Sequence, residues 1–209
     1  MMAIRVKTAM AKTGHLVKFL AGWGLVLALA ACVPETVHPL SDPAQAKVDS
    51  RLAGPWSARI DNEDVFLHFI PRSDGWTEIV SVSYRNSREA GDWLIFRMFP
   101  TRIDGRDYMN VRFIAEAEER SKSKRFYLAR YRLGQDGALT LWSMAGKPVI
   151  AAIEGGLRGT VKKGRFVDEI IVKANTAELV EYLRRTDAEG LFGRKIGVFR
   201  RARNPRADR

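Results

Sequence analysis

Few residues of this chain have side chains that could act as a general base in hydrolysis. The sequence contains three histidines, of which His38 lies in a proline-rich stretch and His68 in the apolar run VFLHFIP. A serine, histidine and aspartate arrangement would need His68 beside Ser81 or Ser83 of the next predicted strand. A histidine in such a strand is more commonly a partly exposed surface residue. We therefore expect that the protein is not an enzyme.

Metal and cofactor sites are not indicated either. Two histidines far apart and a single cysteine cannot supply the four ligands of a zinc site. The acidic run from Glu116 to Glu119 is followed directly by RSKSKR, which favours solvated charge at a hairpin end over a calcium site. The glycine-rich segment EGGLRG precedes a predicted strand and not a helix, so it does not form a phosphate loop. We expect no cofactor.

Aromatic and basic residues are spread over the middle of the chain and could bind an apolar ligand. Aromatic side chains could line a pocket, with an arginine close to an anionic head group. The alternative is that the aromatic rings fill a solid core while the arginines point outward. The candidate ligand-binding residues are Trp93, Arg97, Arg112, Tyr127 and Trp142.

The N-terminal segment has the pattern of a bacterial export signal. A basic stretch without acidic residues is followed by an uncharged run from Phe19 to Ala31 that is too short to span a bilayer as a stable helix. The residues Leu29-Ala30-Ala31-Cys32 resemble the lipobox of bacterial lipoproteins. This resemblance implies cleavage after Ala31 and acylation of Cys32. The alternative is an ordinary signal peptide that is cleaved after Ala30.

The resemblance to lipoproteins also implies a location. Val33 follows the cysteine where an aspartate would retain an enteric lipoprotein in the inner membrane, so we expect the outer membrane, with the domain facing the periplasm. The formal net charge of +11 invites a nucleic-acid function. However, four basic residues lie in the predicted signal peptide, and five arginines lie between Arg200 and Arg209. We therefore expect no nucleic-acid partner.

The pattern of the remaining chain predicts one β-rich domain over residues 43–201. A tether over 32–42 precedes it, and a basic tail over 202–209 follows it. Asp42 and Pro43 predict the start of a short helix that ends near Leu52. Seven strands with short polar breaks form a meander from Trp56 to about residue 144. A helix near 148–154, two further strands, a helix near 176–189 and a last strand over 195–201 complete the domain.

The segment Gly54-Pro55-Trp56 resembles the G-x-W element at the first strand of lipocalins. The helix near 176–189 and the final strand resemble a lipocalin's last elements. A group of bacterial lipoproteins also resembles this chain in two segments, HPLSDPAQAKVDSRLAGPW and NTAELVEYLRRTDAEGLF. The resemblance implies a mainly β fold, in which an antiparallel meander closes into a lipocalin-like barrel or half-barrel, with Trp56 in a structural role.

Two functions are compatible with this fold. In the first, the domain binds a small apolar or amphiphilic molecule inside the barrel and is held to the membrane by its acylated cysteine. In the second, it is a structural or assembly factor of the cell envelope and contacts a protein partner through its surface. The first is our principal expectation.

Overall fold

The computed structural model describes residues 33–85, 89–114, 124–165, 168–185 and 188–202. Several predicted features lie outside these residues: the signal peptide, its cleavage site after Ala31, the acylated Cys32, the acidic run from Glu116 to Glu119, and residues 203–209 of the basic tail.

Eleven strands and two helices of more than two turns form the described part of the chain. The strands are β1 (Glu35–Thr36), β2 (Gly54–Ile60), β3 (Glu63–Pro71), β4 (Thr77–Arg85), β5 (Glu89–Ile103), β6 (Arg106–Ile114), β7 (Phe126–Leu133), β8 (Leu139–Ser143), β9 (Gly159–Lys162), β10 (Glu169–Val172) and β11 (Arg194–Arg201). The helices are α1 (Gly146–Glu154) and α2 (Thr176–Arg185), and single turns span Pro43–Gln45, Ser50–Leu52 and Ala188–Leu191.

Eight of these strands close into an antiparallel barrel, as the sequence predicts. The order around the barrel is β2, β3, β4, β5, β6, β7, β8 and β11, and β11 pairs with β2 to complete the circle. Strands β2 to β8 follow one another around the barrel in chain order, and β11, which comes after the elements of residues 144–193, fills the place between β8 and β2. Closure leaves none of these eight strands as an exposed edge, which removes the risk of pairing with another chain.

The strand register determines which side chains face the barrel interior, because residues directly opposite each other point to the same side of a sheet. Trp56 of β2 lies opposite Leu67 of β3, and Leu67 lies opposite Ser81 of β4. Alternate residues of every barrel strand therefore point inward with Trp56. At one end of the barrel these side chains form a closed core of Trp56, Phe69, Met98, Leu139 and Phe199, each 1% exposed or less.

Trp56 and Arg201 seal this closed end. The indole Nε1 of Trp56 donates to the carbonyl of Leu52 at 2.7 Å. The guanidinium of Arg201 lies 4.2 Å from the centre of the indole ring and donates to the backbone carbonyls of Arg51 and Ala53. Gly54 has a φ of +99°, and a Cβ there would lie 3.1 Å from the Arg201 side chain. The G-x-W segment thus ties the preceding turn to the last strand.

The short helix predicted from Asp42 to about Leu52 is not continuous. Asp42 does cap a first turn, since its side chain accepts from the amide of Ala44 at 2.9 Å. Ala46 is extended, with a ψ of 137°, and Asp49 caps a second, separate turn over Ser50–Leu52. The second aspartate competes for the backbone amides that a continuous helix would use.

A second layer covers the outer face of β5, β6 and β7. It contains β1, β9, β10, α1 and α2, and β1 pairs with both β7 and β10. The side chains between this layer and the barrel form a second core, which includes Phe99, Tyr108, Phe126, Leu128, Val149, Val172 and Leu179. Antiparallel sheets commonly have one face on the core and one face in water, but on these strands both faces are buried, because elements far along the chain cover the outer face.

The helices of this layer largely match their predictions. Helix α1 starts two residues earlier than the predicted 148–154 and stops at Gly155 and Gly156. Helix α2 begins with the predicted capping box: the Glu178 amide donates to Asn175 Oδ1 at 2.9 Å, and the Asn175 amide donates to Glu178 Oε2 at 2.8 Å. Its described residues run from Thr176 to Arg185, residues 186–187 of the predicted helix lie outside the described part of the chain, and Ala188–Leu191 is again helical.

The described part of the predicted tether packs against the barrel. Thr36 is fully buried, and Leu40 is only 2% exposed. The side chain of Asn110, on β6, accepts from the amide of Leu40 at 2.7 Å and donates to Thr101 Oγ1 at 2.8 Å. Ser41 Oγ lies 2.5 Å from the same Thr101 hydroxyl. The proline-rich composition indicates an unpacked segment, but these long-range hydrogen bonds hold it in place.

We expect Asn110→Ala to destabilise the fold by about 2 kcal/mol, because it leaves the buried amide of Leu40 without an acceptor. Urea unfolding measures the change in free energy. Hydrogen exchange of the Leu40 amide should also accelerate, while exchange in the closed-end core should change only with global stability. An unchanged exchange rate at Leu40 would contradict the role given to Asn110.

A second prediction concerns the carboxylate of Asp49. Tyr131 Oη donates to Asp49 Oδ2 at 2.8 Å, and Arg51 pairs with the same oxygen at 2.7 Å. Burial alone would raise the pKa of Asp49, but the hydrogen bonds from Arg51 and Tyr131 hold it below its usual value. A lowered pKa in the folded state means that the carboxylate stabilises the fold fully above the unfolded pKa of about 3.9 and loses this effect below it.

Asp49→Asn keeps the cap and removes only the charge. We expect a loss of roughly 1 kcal/mol at neutral pH, because hydrogen bonds to a charged group are the stronger ones. The difference from the unmodified protein should shrink as the pH falls below about 4. The control is Asp42→Asn, since Asp42 caps an exposed turn through a backbone amide. Urea unfolding over a pH series measures both, and a pH-independent difference at Asp49 would argue against the charge.

Candidate functional site at the open end of the barrel

The interior of the barrel is not filled equally along its length. Toward the end opposite Trp56, the inward-facing side chains are mostly apolar but only partly buried. They belong to β2, β3, β4, β5, β6, β7 and β11, and they include Ala58, Ile60, Val65, Leu67, Ser81, Ser83, Leu94, Phe96, Val111, Phe113 and Ile196. Several of these side chains pack against the closed-end core, but all keep part of their surface accessible, and we call this end of the barrel the open end.

Tyr127 and Glu35 form a polar group at the rim of the open end. Tyr127 of β7 lies opposite Val111 on one side and Glu35 of β1 on the other, so it points inward. Its hydroxyl donates to Glu35 Oε1 at 2.7 Å. Burial raises the pKa of Tyr127, and the hydrogen bond to Glu35 raises it further. The phenol is therefore a protonated donor throughout the physiological pH range.

Arg125 completes the rim group. Its Nη1 lies 2.8 Å from Glu35 Oε2 and 3.0 Å from Glu169 Oε1. The hydrogen bonds that Arg125 donates to these two carboxylates raise its pKa above its ordinary value. Two carboxylates and one guanidinium give this group a net negative charge, which disfavours an anionic head group at the rim.

The five predicted ligand-binding residues do not meet in one pocket. Tyr127 alone faces the barrel interior. Trp93 lies opposite Val82, and Arg97 lies opposite both Glu78 and Arg112, all on the outer side of the sheet. Trp142 also points outward. Alternation in the sequence shows which residues of a strand share a face, but it does not show which face points inward. Four of the five residues lie on the outer face.

Arg97 and Arg112 are nonetheless brought together on the outer wall. Arg97 pairs with Asp74 at 2.5 Å and lies 5.0 Å from the ring centre of Trp76. Arg112 lies 4.1 Å from the ring centre of Phe126, and its buried Nε has no hydrogen-bond partner. Burial lowers the pKa of Arg112, and the neighbouring Arg97 lowers it further. The arrangement presents a guanidinium that is not neutralised by an acidic side chain of the described residues.

Trp142 belongs to a different part of the surface. Arg130 lies opposite it on β7, 4.4 Å from the indole centre, and Arg132 lies at 5.9 Å. These contacts stack two basic side chains on one aromatic ring. Trp142 packs partly against the second core and does not reach the open end.

The structure does not assemble the serine and histidine pair considered from the sequence. His68 lies opposite Val80 and points outward, whereas Ser81 and Ser83 lie opposite Leu67 and Val65 and point inward. Within the described residues, no group of three or more histidine, cysteine, aspartate or glutamate side chains could hold a metal ion. None of the helices that these residues form is both long and apolar enough to cross a bilayer.

A surface cleft of about 660 Å³ lies in the second layer, away from the open end. It runs between the end of α1 and one side of α2, and its lining includes Gly155, Arg158, Glu178 and Tyr182. Arg158 pairs with Glu178 at 2.6 Å, and Glu181 pairs with Arg185 at 3.3 Å. In each ion pair the two charges neutralise each other. The cleft therefore offers little charge to attract a ligand.

Apart from Tyr127 at the rim, the residues that line the open end are not among those predicted to bind. The signal that could identify them is the register: once Trp56 is inside, every second residue of its neighbours is inside as well. Leu67, Leu94 and Phe96 follow from this rule. Glu35 could not be identified in this way, because the sequence predicts that it lies in a tether.

The chain matches no protein-family model. Comparisons with curated proteins and with solved structures give no match either. The case for function therefore depends on the geometry of the barrel itself.

Proposed function

We propose that this protein binds a small apolar or amphiphilic molecule in the open half of its barrel and is held to the membrane by an acylated Cys32. The observation that carries the proposal is the unequal filling of the interior. Trp56, Phe69 and Phe199 fill the closed end, whereas inward-facing residues such as Val65 and Phe113 are only partly buried toward the open end.

Hydrophobic burial supplies the driving force for such a ligand. Covering apolar surface is worth roughly 25 cal/mol per Å², and partly exposed lining residues have surface left to cover. A ligand that enters the open half completes the packing that the side chains leave unfinished. An apolar tail of modest length is thus the favoured part of the ligand inside the barrel.

The rim group selects the polar end of the ligand. Arg125 is shared between Glu35 and Glu169, and the Tyr127 hydroxyl donates to Glu35. Because the acidic side chains outnumber the basic one, we propose an uncharged or cationic head group there. The two arginines predicted to lie near an anionic head group, Arg97 and Arg112, point to the outside of the barrel.

Ligand binding can be tested with a matched pair of variants on β4. Ser81 points inward between Leu67 and Leu94, and Val80 points outward between His68 and Ile95. Ser81→Phe should fill the open half and weaken binding at least tenfold, whereas Val80→Phe adds an aromatic ring to the outer face and should leave binding unchanged. The measurement is titration of residues 33–209 with the uncharged fluorophore N-phenyl-1-naphthylamine.

Circular dichroism controls for folding of both variants. Native mass spectrometry of the same protein, purified without detergent, should show a reproducible lipid-sized adduct that Ser81→Phe removes. Equal fluorophore binding by the two variants, or a clean apo mass with no saturable binding, would overturn the barrel as the binding site.

The anchor is tested separately. The mature protein is expected to carry a diacylglyceryl group and an amide-linked fatty acid on Cys32, which intact mass spectrometry detects. Cys32→Ala should abolish these additions and move the protein out of the outer-membrane fraction. An unmodified cysteine in a protein cleaved after Ala30 would support the ordinary signal peptide instead.

A further inference from the structure

The outer wall at the open end exposes an apolar strip that the barrel does not need for folding. Phe66, Val82 and Trp93 lie directly opposite one another on β3, β4 and β5. Phe66 is 39% exposed and Trp93 is 45% exposed. Tyr84 continues the strip, with its ring 5.9 Å from that of Phe66. We call these four residues the aromatic wall.

Aromatic residues in this position are typical of a membrane interface. Tryptophan and tyrosine favour the boundary between lipid head groups and acyl chains, because their rings are apolar while the indole N–H and the phenol O–H are polar. The next row of the wall, toward the middle of the barrel, contains His68, Val80, Ile95 and Ile114. This row extends the apolar surface and introduces no acidic residue.

On the same wall, Arg97 and Arg112 lie in the row that follows His68, Val80, Ile95 and Ile114. This row is further from the open end. Trp93 and Arg97 are separated by four residues of β5, which is about 13 Å along a strand and roughly 10 Å along the axis of a barrel with ordinary strand tilt. A surface that inserts its apolar end about 5–10 Å into the head-group region would bring the arginines to the lipid phosphates. Arg112 is partly exposed while its Nε is buried, so the terminal nitrogens of its guanidinium would make that contact.

The acidic neighbours of the arginine pair are already engaged. Asp74 pairs with Arg97 at 2.5 Å, and Glu78 pairs with Arg72 at 2.9 Å. Three guanidiniums against two carboxylates leave this part of the wall positively charged, and Arg112 is the one without an acidic partner among the described residues. Its charge complements anionic lipid.

The place of the proposed anchor in the chain keeps it within reach of Arg112. Cys32 precedes Glu35 by three residues, a span of at most about 11 Å, and Glu35 lies at the rim of the open end. The next residue, Thr36, pairs with Phe126, the ring on which Arg112 stacks. An acylated Cys32 would therefore hold the membrane within reach of Arg112, since the residues that follow it do not form a long tether.

We infer that the aromatic wall and the Arg97 and Arg112 pair form a membrane-contact surface, which orients the open end of the barrel toward the bilayer. This inference deepens the proposed function and takes the position of the anchor from it. The partner is a lipid surface: the aromatic side chains enter the interface, and Arg112 binds lipid phosphate. Ligand would then pass between the bilayer and the barrel at the open end.

The test uses the acylated protein in vesicles of phosphatidylethanolamine and phosphatidylglycerol whose acyl chains carry bromine, which quenches tryptophan on contact. We expect quenching of up to roughly a quarter of the emission relative to unbrominated vesicles, since Trp93 is one of four tryptophans that follow Cys32. Trp93→Phe should abolish the bromine-dependent loss. Its matched control is Trp142→Phe on β8, which should retain it.

The arginine contact is tested in the same vesicles. Arg112→Gln should reduce the quenching of Trp93, whereas Arg132→Gln, a matched change at an exposed arginine of β7, should not. Val198→Ser, on the strand across the barrel from β5, should also have no effect, although Val198 is 40% exposed. Each control replaces a side chain outside the proposed membrane-contact surface.

The outcomes separate the inference from the proposed function. Absence of quenching in acylated protein, or quenching that survives Trp93→Phe, overturns the membrane-contact surface while barrel binding is judged by the Ser81→Phe titration. Loss of quenching with Trp93→Phe but equal behaviour of the two arginine variants overturns the phosphate contact and supports the aromatic one. Mass spectrometry of the same sample reports whether Cys32 is acylated.

Discussion

Strand β7 joins the barrel to the layer outside it, and both hydrophobic cores depend on its pairing. One edge of β7 pairs with β6, while its other edge is divided between β1 at the first two residues and β8 further along. Its alternate side chains serve different cores: Ala129 and Tyr131 face the barrel interior, whereas Phe126 and Leu128 face the second layer. A shift of one residue in β7 would exchange the two sets and expose both cores.

The division of β7 also explains why the barrel has two unlike ends. At the end where β8 and β11 complete the circle, large side chains meet and the Asp49, Tyr131 and Arg201 contacts seal the interior. At the other end, β1 takes the edge of β7 and brings Glu35 to the rim in place of an apolar residue. Lining side chains that stay partly exposed give up part of their hydrophobic stabilisation. The closed end and the second core must therefore supply most of the stability.

The sequence was sufficient to predict the strands, the capping box at Asn175 and the closure into a barrel, because these depend on local alternation, turn residues and caps. It was insufficient to predict which face of each strand points into the barrel. Alternation in a strand such as β6 separates Met109 and Val111 from Asn110 and Arg112, yet it does not say which set is inside. On β5 to β7 the ambiguity is greater, because Phe99, Tyr108 and Phe126 make the outer face apolar as well. That face is buried by elements far along the chain.

The predicted tether is a second case in which the sequence was insufficient, because its contacts are with residues far along the chain. Its prolines and lack of periodicity indicate a segment without its own structure, and this is correct locally. Asn110 holds it through a hydrogen bond that spans 70 residues of sequence, which no local pattern reveals. The consequence reaches function, because a long tether would let the domain take any orientation above the bilayer. Under the proposed acylation of Cys32, an anchor three residues from β1 would instead fix which end of the barrel faces the lipid. An apolar ligand drawn from that lipid would then enter the open half without crossing water.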